Sequence, residues 1–248
     1  MSHRRLALGL VVLLVVFAGC VGGGTSSESS ADAGDTGESS NEQSGSDETS
    51  GDDVVTQWER FTFEEGEFYR YRVNDIKNDE TATITWDVLS VDGEEVTAEI
   101  TYDNGTDSFS RTVTGENATI LFDLRGVDPE SEEAEATIRT LGYLSLGPFS
   151  PMTAYYQHRE LKVGNSWRLS GNPDAGYMTA NVEGRNEYAG VECYETAIRV
   201  PDSEEWEDSY EFESCISPDA SLALYTAYYD GESGEMTVEI VLEEYRSG

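Results

Sequence analysis

The residues of this chain that can do covalent chemistry are few, and its three thiols come first among them. Cys20 closes an apolar run, whereas Cys193 and Cys215 lie in the C-terminal third. Ahead of Cys20 stand Arg4-Arg5, the unbroken apolar stretch Leu6–Ala18 and Gly19. A positive start, an apolar stretch of this length and small residues before the thiol make a secretory signal. The run is too short to cross a ~30 Å hydrocarbon core comfortably. The sequence therefore predicts export, with residues 1–19 as signal peptide. Arg4-Arg5 suits both the general secretory route and the twin-arginine route, and both stay open.

Phe17-Ala18-Gly19-Cys20 resembles the lipobox of prokaryotic lipoproteins, with Phe17 standing where Leu is usual. The resemblance implies that the Cys20 thiol is alkylated by a diacylglycerol and becomes the first mature residue. Two chains suffice for stable attachment where one is marginal, so the implied partner is a membrane, reached through a lipid anchor on its outer face. That leaves Cys193 and Cys215 as an even pair in an oxidising compartment, where a disulfide is expected. Strand alternation agrees. Tyr194, Ile198 and Val200 share one phase and Tyr210, Phe212 and Ile216 another, which puts both thiols on the opposite face of the sheet. Closing that loop of about 22 residues would stabilise by roughly 3 kcal/mol. A redox role would ask for the close spacing of a Cys-x-x-Cys site.

Catalysis finds little to work with. His158 is the single histidine after Cys20, and it follows Tyr155-Tyr156, a packing or surface setting. A Ser-His-Asp set would need a nucleophile elbow, but Gly164-Asn165-Ser166-Trp167-Arg168 ends in the wrong residue. One histidine and two cysteines cannot complete a zinc site, and phosphate-cradling glycine loops are absent from the sequence. The sequence thus predicts a non-enzyme with no metal and no cofactor. Carboxylates are the group in surplus. Asp202, Glu204, Glu205, Glu207 and Asp208 surround Trp206 without calcium-loop spacing, which reads as a solvated acidic loop. Asn104-Gly105-Thr106 and Asn117-Ala118-Thr119 are acceptor sequons, so Asn104 and Asn117 are candidate N-glycosylation sites; Asn104 also has a sufficient reason as a turn residue.

Charge narrows the setting. Lysine and arginine number 15 against 50 acidic residues, for a net charge of −35. Such a chain repels itself at ordinary ionic strength, whereas molar salt shortens the Debye length to ~3 Å. With only Lys77 and Lys162 as lysines, the sequence resembles a surface protein of a halophilic archaeon. Nucleic acid is excluded as a partner, since no basic patch exists to neutralise phosphates.

The elements that would hold these residues follow from composition and periodicity. Residues 20–53 are Gly, Ser, Thr, Asp and Glu almost throughout, which predicts a disordered tether with a reach of about 30 Å. Residues 54–248 form one domain dense in Tyr, Val and Thr. In Thr81–Val91, Ala82, Ile84, Trp86 and Val88 share a face; in Glu95–Tyr102, Val96, Ala98, Ile100 and Tyr102 do the same. Asp92-Gly93 and Asn104-Gly105 supply hairpin turns, giving a meander from Phe68–Val73 through Thr106–Thr114. A second meander follows: Ser166–Ser170, Tyr177–Arg185, Val191–Val200, Ser209–Ile216, Leu222–Tyr229 and Glu235–Tyr245. Between them, an insert near 117–160 holds a helix predicted to start at Asp128-Pro129 and to stop at Leu141-Gly142. The prolines of Tyr143–Met152 argue against a regular helix there. Tyr69, Tyr71, Tyr155, Tyr156, Tyr225, Tyr228 and Tyr229 are candidates to line an apolar pocket, although strand propensity alone accounts for most.

The fold class is therefore mainly β: a curved antiparallel sheet of two meanders with a short helical insert. That strand order, the phrase Leu161-Lys162-Val163-Gly164-Asn165-Ser166-Trp167 and the stretch Cys193 to Tyr229 resemble the half-barrel lipoprotein-carrier and periplasmic lipid-carrier group. The resemblance implies acyl chains on the concave face and a lid over them, formed here by Leu144, Leu146, Phe149 and Met152. It implies a membrane-anchored binding or accessory domain for a lipid or other apolar small molecule. The alternatives are an interaction module that packs against another envelope protein, and an acidic-residue hydrolase.

Overall fold

The computed structural model describes residues 56–121, 124, 134–172, 176–200 and 211–248. Cys20 with its signal, the tether, the Asp128-Pro129 helix start and the carboxylates around Trp206 lie outside the described residues. Ten strands form among the described residues: β1 Phe68–Asp75, β2 Glu80–Asp92, β3 Glu95–Asp103, β4 Ser108–Glu116, β5 Ser166–Asn172, β6 Gly176–Tyr188, β7 Val191–Arg199, β8 Glu211–Ile216, β9 Tyr225–Tyr229 and β10 Met236–Arg246. They form one antiparallel sheet in the order β4-β3-β2-β1-β10-β9-β8-β7-β6-β5. The two expected meanders are halves of this sheet, joined where β1 pairs with β10 from Phe68↔Arg246 to Asp75↔Val238. The sheet does not close on itself. Bulges at Arg70/Tyr71, Val88/Ser90, Arg168/Ser170, Val182/Gly184 and Met236/Val238 bend it. A Cβ on Gly184, at one of these bulges, would press only on the Glu195 carboxylate, the movable end of a flexible side chain.

Alternation decides which face is dry. Tyr69, Tyr71 and Val73 of β1 are buried with Ile84 and Trp86 of β2, Ile100 of β3 and Ile240 of β10. The opposite face is charged. Arg72 meets Glu239 and Glu243, and Arg199 meets Glu183, Glu211 and Glu213. A second buried group gathers Trp58, Tyr156, Leu161, Ala180, Ile198 and Phe212. Cys193 and Cys215 form the expected disulfide, with Cα atoms 5.5 Å apart. Cys215 stands opposite Glu195 and Tyr225, on the face away from Phe212 and Ile198, as the alternation requires.

The helix departs from its predicted span. α1 runs from Ala134 to Leu146, straight through Gly142. An interior glycine costs about 1 kcal/mol relative to alanine, and the burial of Tyr143 and Leu144 just beyond it outweighs that cost. The stop is Gly147-Pro148. Gly147 N–H donates to the Tyr143 carbonyl and Phe149 N–H to that of Leu144, while proline cannot extend the ladder. A Cβ on Gly147 would meet Ile240 Cδ1 at 2.8 Å, so the helix end is pressed against the sheet. As the prolines suggest, no regular helix runs through Tyr143–Met152: α1 ends at Leu146 and turns fill residues 147–149. Pro151 opens a 3-10 helix, Pro151–Tyr156, whose Ser150 cap accepts from the Met152 N–H.

Candidate functional site

The insert and the sheet leave a cavity of about 570 Å³ between them. Strands supply Met178 from β6, Phe212 from β8, Tyr228 from β9 and Thr237 and Val238 from β10, with Val200 just after β7. The insert adds Leu146, the last residue of α1, and Met152 from the 3-10 helix. One wall is polar: Asp75, Lys77 and Asn78 of the β1–β2 turn. The volume falls within the range of small-molecule sites, and mostly apolar walls with a few convergent polar groups are their usual make-up.

Each wall is held from outside the cavity. The Tyr228 hydroxyl lies 2.7 Å from Ser150 Oγ, which ties the sheet to the cap of the 3-10 helix, and burial pushes its pKa up to about 12. The Phe212 and Tyr228 rings meet at 5.0 Å in a tilted pair. In the turn, the Ile76 and Lys77 N–H groups both donate to the Thr237 carbonyl. Asp75 is buried and accepts from the Asn78 N–H, from Asn78 Nδ2 and from the Tyr143 hydroxyl of α1.

Beyond Asp75, Asn78 and Leu146 lies a second, more polar hollow of about 520 Å³, lined also by Glu80, Arg139, Gly142 and Tyr143. Glu80 organises it. Its carboxylate accepts from Tyr102 at 2.8 Å, from Asn104 at 3.0 Å and from Arg139 at 2.9 Å. Arg139 also reaches Glu135 one helical turn back. The Asn104 hydrogen bond is the largest cause of a lowered Glu80 pKa, Tyr102 and Arg139 add to it, and desolvation opposes them. A carboxylate whose folded pKa is depressed contributes stability above its unfolded value of about 4.3, and that stability is lost as pH falls below it. Glu80→Gln is thus expected to cost about 1–2 kcal/mol at pH 7 and to flatten the acid limb between pH 5 and 3. Urea unfolding at the two ends of that range, in molar salt, checks both; an unchanged acid limb would sink the assignment.

The structure divides the expected lid. Leu146 and Met152 line the cavity, whereas Leu144 is fully buried and Phe149 packs in the core, 4.7 Å from the Trp86 ring and 5.1 Å from Phe61. Of the candidate tyrosines, Tyr228 reaches the cavity. Tyr71 and Tyr156 are core residues whose hydroxyls donate to the carbonyls of Ala223 and Ala197, and Tyr69 bonds the buried Glu67. Tyr188, not singled out by sequence, stacks on Tyr225 over the disulfide face. Asn104 does serve its turn, accepting from the Thr106 and Asp107 N–H groups, while Asn117 accepts from Ala118. His158 is exposed in a left-handed conformation, and its backbone is what bonds, to Trp58 and Gln57. Among the described residues no cluster of three or more His, Cys, Asp or Glu could hold a metal ion.

Sequence reading missed the polar wall and half of the apolar one. Lys77 stood out as one of two lysines, but nothing local says that its turn folds over β10. Met178, Phe212 and Val238 looked like ordinary strand residues.

No helix among the described residues is long and apolar enough to cross a membrane. No family model matches this chain, and no curated protein does. Similar solved structures include MucB in complex with MucA(peri), at a TM-score of 0.41 and 11% identity over 75% of this chain. The match spans about half, 51%, of that MucB chain. A putative lipoprotein from Parabacteroides distasonis aligns at a TM-score of 0.36 and 14% identity, over 77% of this chain and 100% of its own. A putative outer membrane lipoprotein-sorting protein domain from Vibrio parahaemolyticus aligns at 0.20 and 9%, over 73% and 85%. None of them is similar enough to lend this chain a ligand or a partner.

Proposed function

We propose that this chain is an exported, non-catalytic binding domain of a halophilic archaeon, fixed to the outer face of the cytoplasmic membrane through Cys20, and that it holds an apolar small molecule. The cavity of about 570 Å³ between insert and sheet carries the reading. Seven of its lining residues, Leu146, Met152, Met178, Val200, Phe212, Tyr228 and Val238, offer apolar or aromatic surface. Two methionines among them suit a site that adapts to irregular apolar shapes. The signal, the lipobox-like Phe17-Ala18-Gly19-Cys20 and the acidic residues 21–53 support anchorage at the end of a tether.

The test begins with mature protein purified in molar salt from its host, examined by native mass spectrometry and by organic extraction. A copurifying apolar molecule is expected. Met178→Trp should reduce its occupancy at least about tenfold by filling the cavity, with a stability change of about 1–3 kcal/mol at most. If no apolar molecule copurifies and none can be loaded, or if Met178→Trp leaves occupancy unchanged, the reading is wrong.

A further inference from the structure

The apolar walls say what kind of body fits the cavity; the polar wall says what kind of head. Each polar side chain of that wall except one is committed within the protein. Both oxygens of Asp75 accept from Asn78 and Tyr143, and Asn78 Nδ2 donates to Asp75. Thr237 donates its hydroxyl to the Tyr228 carbonyl. In the neighbouring hollow Arg139 is held by Glu80 and Glu135. Asp230, on the β9–β10 turn, is kept ionised chiefly by the Ser233 backbone and hydroxyl and least by the charge of Lys77.

The remaining group is the Lys77 ammonium. Lys77 as a residue lines the cavity and is exposed, and its ammonium makes no ion pair among the described residues. Lys162 and six arginines of the described residues also make no ion pair; what sets Lys77 apart is its place, as the one cation among the residues that line this mostly apolar cavity. Its three N–H bonds suit an oxyanion, and its flexible stem can follow a head group as the tail seats.

We infer that the cavity takes a single-chain amphiphile with an anionic head, carboxylate or phosphate, whose tail lies against Met152, Met178, Phe212 and Val238 and whose head pairs with Lys77. This rests on the cavity reading above. The long-range field of the protein would favour a cationic head instead, but in molar salt that field dies within ~3 Å. Direct contact with Lys77 then decides.

Four dodecyl probes of the same tail separate the two claims: dodecanoate, dodecyl phosphate, dodecanol and dodecyltrimethylammonium. They are titrated into the delipidated mature protein in molar salt, below their critical micelle concentrations. Dodecanol binding reports the cavity alone. The anionic probes are expected to bind about tenfold more tightly than dodecanol, and the trimethylammonium probe most weakly. The ratio of dodecanoate to dodecyl phosphate tells a fatty acid from a phosphate-headed lipid. Lys77→Met should bring both anionic probes down to the affinity of dodecanol, and Lys77→Glu should make the trimethylammonium probe the tightest, with circular dichroism unchanged in both. If dodecanol binds as tightly as both anions, or if Lys77→Met leaves the preference intact, the head-group inference fails while the cavity reading stands. If none of the four binds, both fail.

Discussion

Replacing Trp58 by alanine is expected to lower the unfolding free energy by about 3–5 kcal/mol, the range found for fully buried aromatic side chains. Trp58 has no exposed surface, and its indole N–H donates to the Ala220 carbonyl at 2.8 Å. It lies on a strand-free strap with partners on two sides. Toward the insert, Leu161 N–H donates to the Thr56 carbonyl and His158 N–H to that of Trp58. Toward the loop before β9, Phe61 N–H donates to the Ser221 carbonyl. Ser221 in turn donates its hydroxyl to the buried Glu67 at 3.0 Å. Removing the indole leaves the Ala220 carbonyl without its donor and opens a void beneath Tyr156 and Leu161. Trp167→Ala is the control. That ring is half-buried on edge strand β5, meeting Tyr156 edge-on at 6.3 Å and the Arg159 guanidinium at 5.5 Å, and about 1–2 kcal/mol is expected from its loss. Denaturant melts of both variants in molar salt make the comparison. Equal losses would mean that the strap is no more than a surface segment.

The second large effect is that of salt. Residues 54–248 hold 13 basic against 41 acidic side chains, which leaves the domain at −28. The eight ion pairs among the described residues draw on four arginines, Arg70, Arg72, Arg139 and Arg199, so most carboxylates have no cation beside them. Such exposed pairs contribute little each. Between molar salt and roughly 0.1 M the Debye length grows from about 3 to about 10 Å, and carboxylates on neighbouring strands begin to feel one another. The expected result is a thermal midpoint lower by about 10 °C or more, corresponding to several kcal/mol for a domain of this size. A midpoint that holds steady across that range would mean that repulsion is not what limits this domain, and the halophilic reading would lose its physical basis.

How much of this could be read from sequence depends on the distance over which each feature is set. Strands announced themselves because alternation is local: Ala82, Ile84, Trp86 and Val88 are all buried, and Thr83 and Thr85 are not. The disulfide was legible for the same reason, as two thiols in the same phase of adjacent strands. Helix ends were less so, because burial of Tyr143 and Leu144 against other elements carries the helix past Gly142 to the local stop at Gly147-Pro148, and no local pattern encodes that burial. The pairing of β1 with β10 was not legible, and the walls that depend on it were missed with it, although Leu146, Met152 and Tyr228 were legible as candidate cavity residues. Lys77 belongs to the site only because its turn hangs on the Thr237 carbonyl of β10. Phe212 and Val238 are core-like in sequence, and Phe212 stays fully buried in the wall it helps to form.

That central pairing also governs how the sheet can be born. Asn74 of β1 and Glu239 of β10 are hydrogen-bonded partners separated by 165 residues of chain. Each hairpin on either side can zip up from its own turn, but the seam between the halves must wait for the last strand to arrive. Until then the inner borders of β1 and β9 are bare backbone edges, adhesive to any passing strand. A dense coat of like charge keeps such half-made molecules apart, so the same acidity that strains the finished domain guards the unfinished one.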